Sequence, residues 1–276
     1  MTDHEVGRAP WPAQIAIVGV GLIGGSFALA LRAAGYKGRI LGVSRPATLT
    51  KAIERGVIDQ GGTLADIVPQ ADLVFLSQPI GAILETIDQL APLLKPGTLV
   101  TDAGSTKKLI VERAAHLPRF VGGHPLAGKE SQGVESADAQ LFAGRPWILT
   151  SDPGPEFVQW LQLIGARIVY LSPDEHDAQV ALSSHLPQLL STALASMLDG
   201  RVTTSTAGPG LESMTRLALS SHHLWRDILA TNQSAIAAAL AEFAATLDEV
   251  RAELQRGELE SRFVKARELA SAIRQK

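Results

Sequence analysis

One glycine-rich turn constrains this chain more than any other feature. Gly19-Val20-Gly21-Leu22-Ile23-Gly24 follows the apolar run Ile15–Val18 and opens onto a helix-forming stretch. That setting separates a dinucleotide-binding turn from an ordinary glycine-rich turn, the alternative reading of the pattern in isolation. Gly19 permits the tight turn and Gly21 lets the backbone approach a pyrophosphate. Gly24 lets the helix pack closely on the sheet, with its N-terminus facing the phosphates. From Ile15 to Leu31 no residue is charged. The four glycines at 19, 21, 24 and 25 and the mid-segment change from β-type to helical residues argue against a membrane span. The acidic leader with Asp3 and Glu5 lacks a signal-peptide layout. The expected location is therefore the cytoplasm, with no membrane partner.

The rest of the first 171 residues repeats the same alternation. Strands are predicted at Gln14–Gly19, Arg39–Ser44, Asp72–Ser77, Thr98–Asp102, Arg119–Gly122, Trp147–Thr150 and Arg167–Leu171. Helices are predicted between them at Gly24–Ala34, Ala47–Arg55, Ile83–Leu94 and Lys107–His116. Continuous apolar strands alternating with helices imply a parallel sheet covered on both faces. Beyond Ser172 no strand-like run recurs, and alanine and leucine dominate. The expected architecture is an α/β Rossmann-type nucleotide-binding domain over residues 1–171. An all-α substrate and dimerisation domain follows over 172–276.

Pro173–Leu198 reads as one long helix with a kink at Pro187, which lacks an N–H and crowds the Ser183 carbonyl. Further on, Ile236, Leu240, Phe243, Leu247, Val250 and Leu254 form an a/d-type stripe. After Gly257, Leu259, Phe263, Ala266, Ala270 and Ile273 continue it. The stripe either packs inside one helical domain or reaches a second subunit. The second reading is favoured, giving a homodimer through the C-terminal helices.

Charge and cysteine content narrow the chemistry. A net charge of −3 with 19% charged residues of both signs does not suit nucleic acid. No cysteine is present, so a thiolate zinc site, a cysteine nucleophile and a disulfide framework are excluded. No metal is expected. About 20 residues past the glycines, an acid would hydrogen-bond the ribose of NAD. Ser44 occupies that place and Arg45 follows it, a hydroxyl and a guanidinium suited to a 2′-phosphate. NADP is therefore favoured. NAD remains possible if Arg45 only stacks on adenine. The expected cofactor residues are Gly19, Gly21, Leu22, Ile23, Gly24, Ser44, Arg45, Ser77 and Pro79, all at carboxyl ends of strands or in the turns that follow.

Two further strand ends carry Asp102-Ala103-Gly104-Ser105 and Gly122-Gly123-His124-Pro125-Leu126-Ala127-Gly128. A histidine emerging from a Gly-Gly turn can take a proton from an alcohol as hydride leaves the same carbon, and Ser105 could orient it. Here the chain resembles the prephenate/arogenate dehydrogenase family of tyrosine biosynthesis. The resemblance runs in order through VGVGLIGGS, DAGSTK, GGHPLAGKESQGVE, LFAGRPWILT, EHDAQVALSSHLP, MTRLA and LWRDI. It implies oxidative decarboxylation of a cyclohexadienyl ring: His124 deprotonates the 4-hydroxyl, hydride passes to the nicotinamide, and loss of CO₂ makes the ring aromatic.

By the same resemblance, Ser105 hydrogen-bonds His124 beside the nicotinamide. Glu130 lies near the entrance and pairs with Arg216, whose planar fork suits a substrate carboxylate. His185 is the histidine of the SHLP motif, and Trp225 contributes near the site. Helical spacing would put Asp177, Ala181, Ser184, His185 and Gln188 on one face, lining a pocket. For His176 and Asp177, helix capping and kink support stand beside direct binding.

The chain departs from the family pattern at three places. Gln188 replaces the second histidine of S-H-L-P-H, which contacts the pyruvyl side chain in prephenate enzymes. Leu211-Glu212-Ser213 and Ser221-His222-His223 replace two other family runs. A glutamine can serve a keto or an amino side chain. With Ser44-Arg45, these departures favour arogenate and NADP over prephenate. Any feedback by tyrosine is expected to act at the active site, since the chain ends with its helical part. A hydroxy-acid dehydrogenase of another Rossmann family is the remoter alternative, against which GGHPLAG and SSHLP weigh.

Overall fold

The computed structural model describes residues 11–275, so the charged leader at 1–10 lies outside the described residues. The chain forms two compact units. One contains the chain through Val180 together with Leu219–Asn232, and the other contains Ala181–Ala218 and the chain from Gln233 onward.

The first unit begins β1 (Gln14–Val18), α1 (Leu22–Ala33), β2 (Arg39–Val43), α2 (Pro46–Glu54), β3 (Gln60–Gly62), α3 (Leu64–Ile67). It continues β4 (Leu73–Leu76), α4 (Ile80–Leu90), β5 (Leu99–Asp102), α5 (Lys108–Arg113), β6 (Phe120–Val121). These six strands form one sheet in the order β3-β2-β1-β4-β5-β6, with every pairing parallel. That is the Rossmann order, with its topological switch between β1 and β4.

Alternate residues explain why both faces are covered. Ile15, Ile17, Leu73 and Phe75 enter one core with Phe27 and Leu31 of α1. Ala16, Val18, Val74 and Leu76 enter the other with Ile80, Ile83 and Ile87 of α4. A period-two strand apolar at every position buries both faces, which only flanking helices can cover.

The strands after β6 correct the expected single sheet. β7 (Gly123–Pro125), β8 (Pro146–Leu149) and β9 (Arg167–Tyr170) make a separate three-stranded sheet. β7 runs antiparallel to β8 and β8 parallel to β9, so the chain leaves the parallel sheet after β6 and the later predicted strands pair in the smaller one. Between β8 and β9 lies α6 (Pro155–Leu163), whose Phe157, Trp160 and Leu161 are buried in the first core.

The unit closes with α7 (Pro173–Val180) and, after a long excursion of the chain, α10 (His222–Thr231). Three contacts hold that return segment. Asp227 Oδ2 accepts from Gly81 N at 3.0 Å, the Thr231 and Thr106 hydroxyls lie 2.7 Å apart, and Asn232 Nδ2 donates to Asp177 O at 2.8 Å.

The second unit contains no strand among its described residues. Ala181–His185 forms a π-helical turn, followed by α8 (Leu186–Leu198), α9 (Pro209–Thr215), α11 (Gln233–Arg256) and α12 (Glu260–Arg274). Helical residues thus run from Pro173 to Leu198, with a π-helical turn in place of the kink expected at Pro187. The widened turn precedes the proline, because Pro187 cannot donate to Ser183 and its ring crowds that carbonyl. In α11 Ile236 is buried, but Leu247 and Leu254 are 53% and 65% exposed, and Phe263 of α12 is 71% exposed. Among the described residues no single helix is long and apolar enough to cross a membrane.

Candidate active site

The glycine turn is shaped by what a side chain would meet there. Gly19 has φ +98°, a backbone region costly for other residues, and its N–H donates to Val43 O at 2.8 Å. A Cβ on Gly24 would lie 2.4 Å from both the Gly19 carbonyl and the Ser77 hydroxyl. Ser77 Oγ in turn donates to Gly19 O at 2.8 Å, locking the turn between β1 and β4. A Cβ on Gly21 would meet no protein atom within 4 Å. Gly24 is therefore small for the protein's own packing, whereas the space over Gly21 and the N–H groups of Leu22 and Ile23 fits a pyrophosphate.

The two glycines should separate in experiment. Gly24→Ala is expected to cost about 1–3 kcal/mol by overpacking, read as a lowered Tm. Gly21→Ala should keep the parental Tm and weaken dinucleotide binding by about tenfold or more, about 1.4 kcal/mol. Equal loss of stability in both variants would contradict this division.

Ser44 is half-buried at the end of β2, and Arg45 is exposed as the residue preceding α2. Pro79 precedes α4 in the same manner. These residues rim the carboxyl edge of the sheet, and no acid stands at Ser44 to repel a 2′-phosphate.

His124 lies half-buried in β7, paired with Ile148. Its Nδ1 is 2.8 Å from Nε2 of His176, and His176 Nδ1 is 2.7 Å from Asp177 Oδ1. Asp177 Oδ1 also accepts from Lys107 N at 2.7 Å, and its Oδ2 accepts from Lys108 N at 3.0 Å. The carboxylate thereby caps α5, which has no cap of its own. Burial alone would raise the Asp177 carboxyl, but the bonds from His176 and from the two N–H groups hold it below the usual carboxylate range. Burial pushes the fully buried His176 below the ordinary histidine value, and the charge of Lys107 adds to this against the bond from Asp177.

A second buried carboxylate holds the backbone next to His124. Asp102 Oδ1 accepts from Gly123 N at 3.0 Å and its Oδ2 from Gly104 N at 2.7 Å. Oδ2 also pairs with the Lys107 ammonium, and both side chains are fully buried. Burial lowers the pKa of Lys107, and the neighbouring Asp102 charge opposes that shift. Asp102 thus ties the loop carrying Ser105 to the residue preceding His124.

The surroundings of Ser105, Asp177, Trp225 and Glu130 differ from one another. Ser105 is half-buried in that loop, and Nε2 of His176 faces Nδ1 of His124. Asp177, for which helix capping stood beside direct binding, is buried and bonded to His176 and to the first N–H groups of α5. Trp225 packs half-buried against the core that contains Ile80 and Ile228. Glu130 is exposed in the loop after β7.

In the second unit His185 is 1% exposed and Arg216 is exposed just after α9. Gln188 Nε2 donates to Leu217 O at 2.8 Å, and Ser191 Oγ accepts from Ala218 N at 3.1 Å. Together they fix the turn that carries Arg216 on α8.

Sequence reasoning did not find His176 as the partner of His124, nor Asp102, Lys107 and Asp227 as anchors. A signal existed only for Asp102 and Lys107, in an acid at a strand end with a lysine five residues on.

A family model described as "Prephenate dehydrogenase, nucleotide-binding domain" matches residues 27–181, and one described as "Prephenate dehydrogenase, dimerization domain" matches residues 172–268. A prephenate dehydrogenase of Lactococcus lactis subsp. cremoris is 35% identical over 86% of this chain and 70% of its own length. A cyclohexadienyl dehydrogenase of Zymomonas mobilis is 33% identical over 86% of this chain and 87% of its own. The crystal structure of the A. aeolicus prephenate dehydrogenase with hydroxyphenyl propionate and NAD+ superposes with a TM-score of 0.86 at 32% identity, covering 97% of this chain and 99% of that one. Synechocystis arogenate dehydrogenase gives 0.81 at 31% identity, with 95% and 99% covered. With both of its halves matched and its fold shared along nearly the whole length, the chain belongs to the prephenate dehydrogenase family.

Proposed function

We propose that this chain oxidatively decarboxylates arogenate to tyrosine with NADP, acting as a homodimer. When bound, the nicotinamide accepts the hydride leaving the 4-carbon of the ring. His124 takes the proton of the 4-hydroxyl through Nε2, since its Nδ1 faces His176. The bond to the ring carboxylate then breaks, its electrons make the ring aromatic, and CO₂ departs. The phenolate so formed recovers its proton from His124. Aromatisation supplies the driving force, so the base needs only correct placement and a neutral ring.

One observation carries the choice of substrate. Gln188 commits its amide nitrogen to the Leu217 carbonyl, which only a donor can satisfy. Its Oε1 is then the atom offered to a ligand, and an acceptor suits the ammonium of arogenate better than the keto oxygen of prephenate. Ser44 and Arg45 support NADP by the same logic of donors facing a phosphate. The matched dimerization model and the exposed Leu247, Leu254 and Phe263 support pairing of two copies through α11 and α12.

Arg216 is the residue we assign to a substrate carboxylate. Arg216→Ala should raise KM about 10–100-fold, from the loss of about 1.5–3 kcal/mol of charge-assisted bonding, with kcat changed much less. A defect in kcat alone would contradict that role. The function itself is tested by initial rates of nicotinamide reduction with arogenate and prephenate, each with NADP and with NAD. The fastest pair is expected to be arogenate with NADP. A preference for prephenate would overturn the role given to Gln188, and a preference for NAD that given to Arg45.

A further inference from the structure

We propose that His176 is a positioning residue that holds His124 in the tautomer protonated at Nδ1, so that Nε2 carries the lone pair that accepts the substrate proton. The inference rests on the reaction proposed above and adds to it a second histidine that never touches substrate.

The argument is one of donors and acceptors along a fixed chain. Asp177 is an ionised carboxylate, an acceptor only, and it already receives the N–H groups of Lys107 and Lys108. His176 Nδ1, 2.7 Å from Asp177 Oδ1, must therefore be the donor. A neutral imidazole has one N–H, so Nε2 of His176 is an acceptor. The atom facing it at 2.8 Å, His124 Nδ1, must then carry hydrogen. In water the neutral ring prefers hydrogen on Nε2, which would leave the base with its lone pair on the wrong nitrogen. The relay reverses that preference.

The inversion fails only if His176 is charged, because it would then donate from both nitrogens. Its surroundings oppose this. The side chain is fully buried, and the groups that face it are Asp177 on its own helix, Lys107 and Asp102 between β5 and α5, and His124 on β7. Burial and the Lys107 ammonium both disfavour a second cation, and together they outweigh the two carboxylates. Once His124 has taken the substrate proton, its Nδ1–H points at a neutral acceptor, a charge-assisted bond that steadies the imidazolium until the proton returns. Because the carboxylate also caps α5, the ring stack is anchored to backbone and keeps its geometry without substrate.

The decisive measurement is the ¹⁵N spectrum of the histidine side chains in the full-length protein at neutral pH, with and without NADP. His124 is expected to be protonated at Nδ1 and bare at Nε2, with His176 neutral and protonated at Nδ1. Hydrogen on Nε2 of His124, or a charged His176, would overturn the proposal. In activity, His176→Leu should lower kcat on the order of 10²–10⁴-fold, the range seen when a catalytic histidine loses its orienting partner, with KM nearly unchanged. His176→Gln offers an amide oxygen near the place of Nε2 and should recover at least about tenfold over leucine, about 1.4 kcal/mol. Parental kcat in His176→Leu would contradict the proposal. A leucine variant that does not fold leaves the decision to the parental spectrum. Loss of the reaction and loss of the relay are distinguishable. An active parent with hydrogen on His124 Nε2 refutes the relay alone, whereas a parent inactive on both ring substrates refutes the function whatever the spectrum shows.

Discussion

Replacing His124 with asparagine is expected to lower kcat/KM on the order of 10²–10⁴-fold while leaving dinucleotide affinity unchanged. An amide cannot take a proton at neutral pH, yet it keeps a donor within reach of His176, so the exchange removes basicity with little loss of packing. The residues proposed to hold the cofactor lie at the carboxyl ends of β1, β2 and β4, whereas His124 belongs to β7 of the smaller sheet. Binding and chemistry should therefore separate cleanly. Steady-state rates, with dinucleotide titration by fluorescence as the control, check this. Turnover within threefold of the parent would remove His124 from the reaction.

The second large effect is expected at Asp102. Its carboxylate is fully buried and holds the Gly104 and Gly123 N–H groups together with the buried Lys107 ammonium. Asp102→Asn leaves that ammonium without its counter-charge, and stranding one partner of a buried pair costs about 3–5 kcal/mol. At about 2–4 °C per kcal/mol, Tm should fall by about 6–20 °C. Because Gly123 precedes the base, activity should fall in the same variant even below its Tm. Adding Lys107→Met removes the stranded charge and should restore part of the stability, a recovery that two independent sites would not show. A single Asp102→Asn variant with the parental Tm would contradict the buried pair as an anchor. Thermal unfolding of the four proteins in the cycle reads this directly.

The parts of this architecture that follow from local pattern were legible in the sequence. β4 is apolar throughout and β1, β2 and β5 have apolar centres beside the glycine turn, and α1 and α4 follow at the spacing a parallel sheet needs. β3 was not legible, since Gln60-Gly61-Gly62 has no apolar pattern and pairs only as an edge strand. Alternation could not tell which sheet Trp147–Thr150 and Arg167–Leu171 would join, because their pairing partners, β7 and each other, are set by contacts distant in sequence. The His124–His176 contact spans 52 residues and depends on α7 docking beside β7, information that no spacing rule contains. A comparable separation hid the bonds that Asp177 accepts from the Lys107 and Lys108 N–H groups. The stripe on α11 was legible as a pattern, and its Leu247 and Leu254 are exposed in the single chain.

One active site is proposed to couple hydride transfer to loss of CO₂ from a cyclohexadienyl ring. The most direct test follows reduced nicotinamide, CO₂ and the aromatic product together in a single reaction of the parental protein with arogenate and NADP. Equimolar appearance of NADPH, CO₂ and tyrosine, all abolished in His124→Asn, is the predicted result. Binding of the dinucleotide with no reduction on either ring substrate would contradict it.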